Sequence, residues 1–391
     1  MGHANEYDAI VLGVGAAGSA ATYHLARRGT SVLGIDQFGV PNNRGSSRGF
    51  TRVINPAVRE KPQYVQIIQR SLELWNELQE RHPNQLICKT GALRGWTGPD
   101  YEGHRDSLEE AVELCESQGL PYEVLAGEEV ERRFPGYDLS GDFRFLYQPD
   151  GGVLDVPECT IAHMNAAHDH GAEIRAHERV ESWEPTDAGV RVRTTRGEYE
   201  AGKLLVTAGP WLSEVVSDLG DVTPRRAVMG WFRPEEPERF RQDTFPSFGW
   251  DTENGYFYGT PAYRIDGVKV GGATDFESET TVDPDGMDRE VTREEEGMLR
   301  QFMEEHMPTA AGPTLRLTAC MTTRAPDKQY VFDTYGEGSD VYVAGGFSGS
   351  GFMTASAVGE VGSKLVLGEA TDVDLEPFRA SRLSSAGPGV S

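Results

Sequence analysis

Residues 9–29 read "AIVLGVGAAGSAATYHLARRG". The apolar run ending at Leu12 predicts a strand over 7–12 that is buried in a parallel sheet. Gly13, Gly15 and Gly18 punctuate the turn that follows, and a helix-like "SAATYHLARRG" then runs to Gly29. A second strand, "SVLGID", ends at Asp36, 23 residues after Gly13. Strand, glycine turn, helix and strand with a terminal acid match a dinucleotide-binding unit in order and length. Gly13 permits the tight turn, Gly15 lets backbone approach a pyrophosphate, and Gly18 allows close helix–strand packing. Ala16 stands within that turn, and the N-terminus of the helix after it faces the phosphates. Asp36, followed by Gln37, is placed to accept a ribose hydroxyl. The motif alone does not separate FAD from NAD.

A chain of 391 residues is too long for one ordinary core and implies two domains. Its nucleotide-binding pieces lie near 1–85, 150–222 and 320–375. The remainder, 86–149 and 223–319, reads as a second, largely β substrate domain, and 376–391 reads as a flexible tail. In the first part, "QYVQIIQRSLELWNELQERH" carries Val65, Ile68, Leu72, Trp75 and Leu78 on one helical stripe. Farther on, "YEGHRDSLEEAVELCESQG" (101–119) reads as helical, and "VYVAGGFSGSGFMTASAVGEVGSKLVLG" (341–368) reads as another strand, glycine turn and helix. The fold class is therefore α/β: a Rossmann-like domain interleaved with a mainly antiparallel β-sheet domain.

Asp and Glu number 62 against 37 Lys and Arg, a net charge of −25, and the lysines are six: Lys61, Lys89, Lys203, Lys269, Lys328 and Lys364. Such acidity repels nucleic acid and anionic lipid, which excludes both as partners, and it fits adaptation to high salt. The apolar runs are too short for a transmembrane helix and the N-terminus lacks a secretory pattern, so a cytoplasmic monomer or homodimer is expected. Four cysteines (Cys88, Cys115, Cys159 and Cys320) show no CxxC pair, and no His/Cys cluster has metal spacing.

Taken in order, "VLGVGAAGSAATYHLARRG", "GSSRGFTRVIN" (45–55), "QPDGGVL", "LLVTAGPW", "GVKVGG", "TACMTT" and "AGGFSGSGFMTASAVGE" resemble the monomeric sarcosine oxidase and N-methyltryptophan oxidase family over nearly the whole chain. That resemblance implies FAD rather than NAD. It also implies that the helix after "GGFSGSGF" points its positive end at the flavin, where negative charge develops on reduction. The cofactor positions it implies are Gly13, Gly15, Ala16, Gly18, Asp36, Gln37, Ser46, Thr51, Arg52, Val180, Ala208 and Gly209. Toward the C-terminus they continue with Gly346, Phe347, Gly349, Gly351, Phe352 and Met353. Cys320 aligns with the cysteine that holds the flavin through an 8α thioether in the family. Lys269 aligns with the lysine that assists oxygen reduction, and Arg52 with an arginine close to the flavin.

The departures from the family pattern concern the substrate. An arginine and a lysine clamp the substrate carboxylate in sarcosine oxidases, whereas this chain has Asn55 and Met353 there. Ala273 stands where the family has an active-site histidine, and Arg48 where relatives carry histidine. Either Arg48 takes over the anion contact, or the substrate has no carboxylate at that place. Tyr256 and Tyr258 are expected as pocket walls. The activity implied is oxidation of a secondary or tertiary amine, with hydride transfer to flavin N5, imine hydrolysis and peroxide formed from oxygen. The alternatives are a dehydrogenase that passes electrons to a carrier and a non-catalytic flavin-binding subunit.

Overall fold

The computed structural model describes residues 6–57, 62–97, 107–139, 143–217, 219–252, 254–273, 281–336 and 338–384. One eight-stranded sheet is built around the opening motif. Its first strand, Glu6–Leu12, lies parallel between Val32–Ile35 and Gly197–Val206. Val32–Ile35 pairs parallel with Glu173–Arg175, and Gly197–Val206 with Val341–Gly345. Antiparallel strands Val180–Thr186 and Gly189–Thr194 extend one side, and Val331–Thr334 pairs antiparallel with Val341–Gly345. Ala9–Leu12 is buried on both faces, as a strand covered by helices on each side requires.

The helix Ala16–Ala26 consists of small residues as far as Thr22 and packs against the helices Ala355–Leu367 and Val156–Asp169. Close approach depends on missing side chains. A Cβ on Gly18 would lie 1.8 Å from the Gly13 carbonyl oxygen, and one on Gly359 would lie 2.4 Å from Ala20 Cβ. Gly18→Ala is therefore expected to destabilise the chain by about 1–3 kcal/mol, because backbone rather than a flexible side chain has to move. Thermal unfolding of the flavin-free protein measures this effect apart from cofactor binding.

A second eight-stranded sheet runs in the order Thr314–Arg324, Thr223–Phe232, Val268–Ala273, Gly255–Thr260, Ser247–Thr252, Ala92–Thr97, Phe143–Gln148, Glu123–Ala126. Every neighbouring pair is antiparallel except Ala92–Thr97 with Ser247–Thr252. Alternate residues face opposite ways. One face carries Phe145, Phe232, Trp250 and Phe257 into a core closed by Leu299 and Phe302 of the helix Arg293–His306. A small sheet, Thr51–Ile54, Gly152–Asp155 and Ile87–Cys88, lies beside the two large ones.

Two boundaries differ from expectation. The break placed at residue 320 falls inside Thr314–Arg324, which pairs with Thr223–Phe232 along its length because the hydrogen-bonded ladder does not stop there. Residues 376–384, expected in a flexible tail, are folded: Phe378 is 1% exposed and Leu383 is buried under the first sheet's core. Residues 385–391 lie outside the described residues, as do 101–106 of the expected helix at 101–119. That helix is Leu108–Gln118, started by a Ser107–Glu110 capping box.

Candidate active site

A cavity of about 1300 Å³ is walled by residues of both large sheets. One end is the opening glycine turn. Gly13 has φ +92°, and a Cβ on Gly15 would meet no atom within 4 Å, so backbone is exposed to the cavity there. Gly15 is the N-cap of Ala16–Ala26 and no side chain caps that helix end. Its first N–H groups therefore suit an anion. Gly13, Gly15 and Ala16 line the cavity, whereas Gly18 is turned into the packing interface. Asp36 and Gln37 also line it, as do Val180, Ala208 and Gly209 on the neighbouring strand ends. Asp36 accepts the Val14 N–H at 2.9 Å and the Phe38 N–H at 2.8 Å. Burial pushes its carboxyl up to about 6 against those two bonds.

A second glycine turn forms another wall. Gly346, Phe347, Gly349, Gly351, Phe352 and Met353 all line the cavity. Gly346 (φ +62°), Ser348 (φ +44°) and Gly349 (φ +88°) carry the turn through the left-handed region. It leads into Ala355–Leu367, whose N-cap Thr354 makes no side-chain capping bond. Two uncapped helix N-termini and glycine backbone around one long cavity fit the pyrophosphate and the electron-accepting ring of FAD, the cofactor implied by the resemblance.

The segment 45–55 folds around Arg52. Arg52 Nη2 donates to Ser46 O (2.8 Å) and Arg48 O (2.7 Å), and Nη1 donates to Thr51 O (2.8 Å). Lys269 Nζ donates to the same Thr51 carbonyl at 2.7 Å. Arg52 and Ser46 line the cavity. Thr51 and Lys269 sit just behind that wall, and Lys269 is 1% exposed. Burial, followed by the neighbouring Arg52 charge, holds the Lys269 ammonium well below the ordinary lysine value. Cys320 lines the cavity on the strand Thr314–Arg324, opposite Ala227, and lies within electrostatic range of Lys269.

Of the expected substrate residues, Asn55, Met353, Tyr256 and Tyr258 line the cavity. The two tyrosine rings stack with centroids 6.1 Å apart, and the Lys269 ammonium is 5.8 Å from the Tyr258 ring centroid. Asn55 Oδ1 accepts the Ala57 N–H at 3.1 Å, and the Met353 carbonyl accepts from Ser71 Oγ at 2.8 Å. Ala273 pairs through its backbone with Tyr256. Arg48, expected at the pocket, is not part of the cavity wall, because its guanidinium donates to Thr318 Oγ1 and Asn43 O. Sequence reasoning passed over Arg94, which lines the cavity and is 3% exposed. The available signal was one arginine inside the apolar strand "ALRGW". Among the described residues no group of His, Cys, Asp and Glu could hold a metal ion, and no helix is long and apolar enough to cross a membrane.

The chain matches the family model described as FAD dependent oxidoreductase over residues 8–365. It is 36% identical over 381 residues to monomeric sarcosine oxidase of Bacillus sp. (strain B-0618), with 96% of each chain covered. It is 31% identical over 382 residues to N-methyl-L-tryptophan oxidase of Yersinia pestis (strain Pestoides F), covering 96% of this chain and 99% of that one. Among solved structures, NikD, an unusual amino acid oxidase essential for nikkomycin biosynthesis, is similar with a TM-score of 0.82 at 24% identity, covering 97% of both chains. L-proline dehydrogenase from P. horikoshii is similar with a TM-score of 0.86 at 23% identity, covering 97% of this chain and 98% of that one. At those identities the two structures speak to the fold alone.

Proposed function

The chain belongs to the FAD-dependent oxidoreductase family, in the group of monomeric sarcosine oxidase and N-methyl-L-tryptophan oxidase, and from that premise we propose that it oxidises the CH–NH bond of a secondary or tertiary amine at the expense of oxygen. The observation that carries this reading is the pairing of Lys269 and Arg52 on one carbonyl, behind a cavity wall that also bears Cys320 and the stacked tyrosines. FAD held in this cavity would supply a two-electron acceptor for the hydride on the carbon beside the amine nitrogen and, once reduced, an electron donor for oxygen.

The residues of the chain prepare that exchange. Gly13, Gly15 and the Ala16–Ala26 N-terminus would hold the pyrophosphate, and Asp36 the ribose. Tyr256, Tyr258, Phe352 and Met353 give the reacting end apolar walls, which exclude water and favour an unprotonated amine. No side chain is needed as a strong base, because loss of the amine proton can precede hydride departure. Arg52 holds residues 46–51 against the cavity through three carbonyls.

Anaerobic mixing of the holoenzyme with amines tests this reading. Bleaching of the flavin by secondary or tertiary amines, and on re-aeration close to one peroxide per amine oxidised, is the expected result. Bleaching without peroxide identifies a dehydrogenase that needs a carrier. No bleaching by N-methyl amino acids, cyclic imino acids or amines lacking a carboxylate overturns the enzyme reading altogether.

A further inference from the structure

The arginines on the cavity wall are Arg44, Arg52, Arg94, Arg179 and Arg316. Three of them are engaged. Arg52 and Arg94 donate to backbone carbonyls, and Arg179 pairs with Asp285 at 2.9 Å and Glu214 at 3.5 Å. Arg44 and Arg316 are exposed and form no ion pair with a described carboxylate. The Arg316 guanidinium lies over the Phe50 ring, 5.0 Å from its centroid.

Arg48 and Arg289 stand behind that wall. Residues 316, 318 and 320 alternate onto one side of the strand Thr314–Arg324, and Arg48 donates to Thr318 Oγ1, between Arg316 and Cys320. Arg48 also donates to Asn43 O at 3.3 Å, and Arg289 Nη2 donates to Arg44 O at 2.9 Å. These partners are dipoles and carry no full charge. Arg289 Nη1 is buried and has no hydrogen-bond partner among the described residues. Arg44 and Arg316 lie within electrostatic range of Arg48, and Arg44 and Arg48 within range of Arg289, with no carboxylate among the charges acting on Arg48 or Arg289. Asp288 flanks Arg289 in sequence, but its Oδ1 accepts the Glu290 N–H at 2.9 Å. Four like charges are thus gathered beside Cys320 in a chain whose net charge is −25. The acids of the cavity wall, Asp36, Glu178, Glu181 and Glu214, belong instead to the first sheet and its connections.

Such clustering is unfavourable until an anion joins it. A singly charged anion offsets one charge of the four. A tetrahedral oxyanion with two charges offsets more, and it offers separate oxygens to two planar guanidinium forks. We propose that Arg44 and Arg316, supported by the charges of Arg48 and Arg289, form a second anion site of the cavity, apart from the pyrophosphate turn, that takes a doubly charged oxyanion of the phosphate class. The oxyanion is a free ion or a group borne by the amine, and the test distinguishes these sources. The site itself stands independently of the amine-oxidase reading.

The holoenzyme, with its FAD in place, is titrated calorimetrically with inorganic phosphate, and with chloride and acetate at matched ionic strength. Wild type is expected to bind one phosphate per chain, about tenfold or more tighter than either monovalent anion. The double variant Arg44→Met, Arg316→Met should weaken phosphate about a hundredfold, Arg289→Met about tenfold, and Arg179→Met, whose charge already has acidic partners, by less than about twofold. Anaerobic flavin reduction by O-phospho-N-methylethanolamine and by N-methylethanolamine then identifies the source. If the amine bears the oxyanion, the phosphate ester reduces the flavin at about a hundredfold lower concentration and inorganic phosphate competes with it. If the oxyanion is free, the two amines act alike and phosphate still binds in their presence. Both results uphold the site. Wild-type holoenzyme that shows no saturable phosphate binding, or that binds chloride as tightly, overturns the proposal whether or not the variants fold. A double variant that binds phosphate like wild type also overturns it. If no amine bleaches the flavin, the oxidase reading fails while the titration still judges the site.

Discussion

Lys269→Met should leave flavin reduction by the amine nearly intact and slow reoxidation by oxygen about a hundred- to a thousandfold. The ammonium is held by Thr51 O at 2.7 Å and is 1% exposed, and in the proposed role it would stabilise negative charge developing on oxygen with little reorganisation. Methionine matches the length of the side chain and removes the charge. The protein should tolerate the change, because replacing a buried charge by an apolar group of similar volume is often neutral. Thr51 O also keeps a donor in Arg52 Nη1. Stopped-flow measurement of the two half-reactions separates the effects, and equal slowing of both would remove Lys269 from the oxygen step.

The pH dependence has a definite sign. An ammonium is present below its pKa and lost above it. Burial and the Arg52 charge move that value downward for Lys269. The oxygen step should therefore weaken with rising pH earlier than a surface lysine would allow, and Lys269→Met should abolish this dependence. A reoxidation rate independent of pH up to the ordinary lysine range would contradict the assignment.

The flavin is expected to be held covalently through Cys320, and Cys320→Ser is expected to leave it bound without a covalent link. Acid denaturation of wild type is expected to precipitate yellow protein with the mass of the apoprotein plus FAD. The serine variant should give colourless precipitate and all its flavin in the supernatant. Position decides among the four thiols. Cys88, Cys115 and Cys159 are buried away from the cavity wall, and burial pushes each of those thiols up, which keeps them unreactive. Cys320 lines the cavity, with Lys269, Arg48 and Arg289 within electrostatic range. Flavin that leaves wild-type protein completely in acid would refute the thioether.

Much of this site was legible in residue order. The glycines between Leu12 and Ser19, and Asp36 at the end of the next strand, specify a local unit because two of the glycines answer local demands: Gly13 its positive φ, Gly18 the Gly13 carbonyl. Interactions that close over some thirty residues leave a pattern a sequence can carry. The resemblance extended this reading to Lys269 and Cys320, whose partners lie far away along the chain.

Arg48 and Arg94 mark where that legibility ends. Both are single arginines in strand or loop context, and nothing in their neighbouring letters says which one meets the cavity. The outcome rests on long-range register: Arg48 turns to Thr318, while parallel pairing sets Arg94 opposite Gly249 and therefore in line with Tyr258. Side-chain direction alternates along a strand, so a shift of one residue would turn Arg94 to the opposite face of the sheet. The sequence by itself determined the nucleotide-binding unit and the α/β class, because these are local patterns, and asparagine at position 55 became informative only through the resemblance. Only the tertiary structure decided that Arg94 and not Arg48 lies on the cavity wall, because that depends on pairing between strands more than 150 residues apart (Arg94 to Gly249).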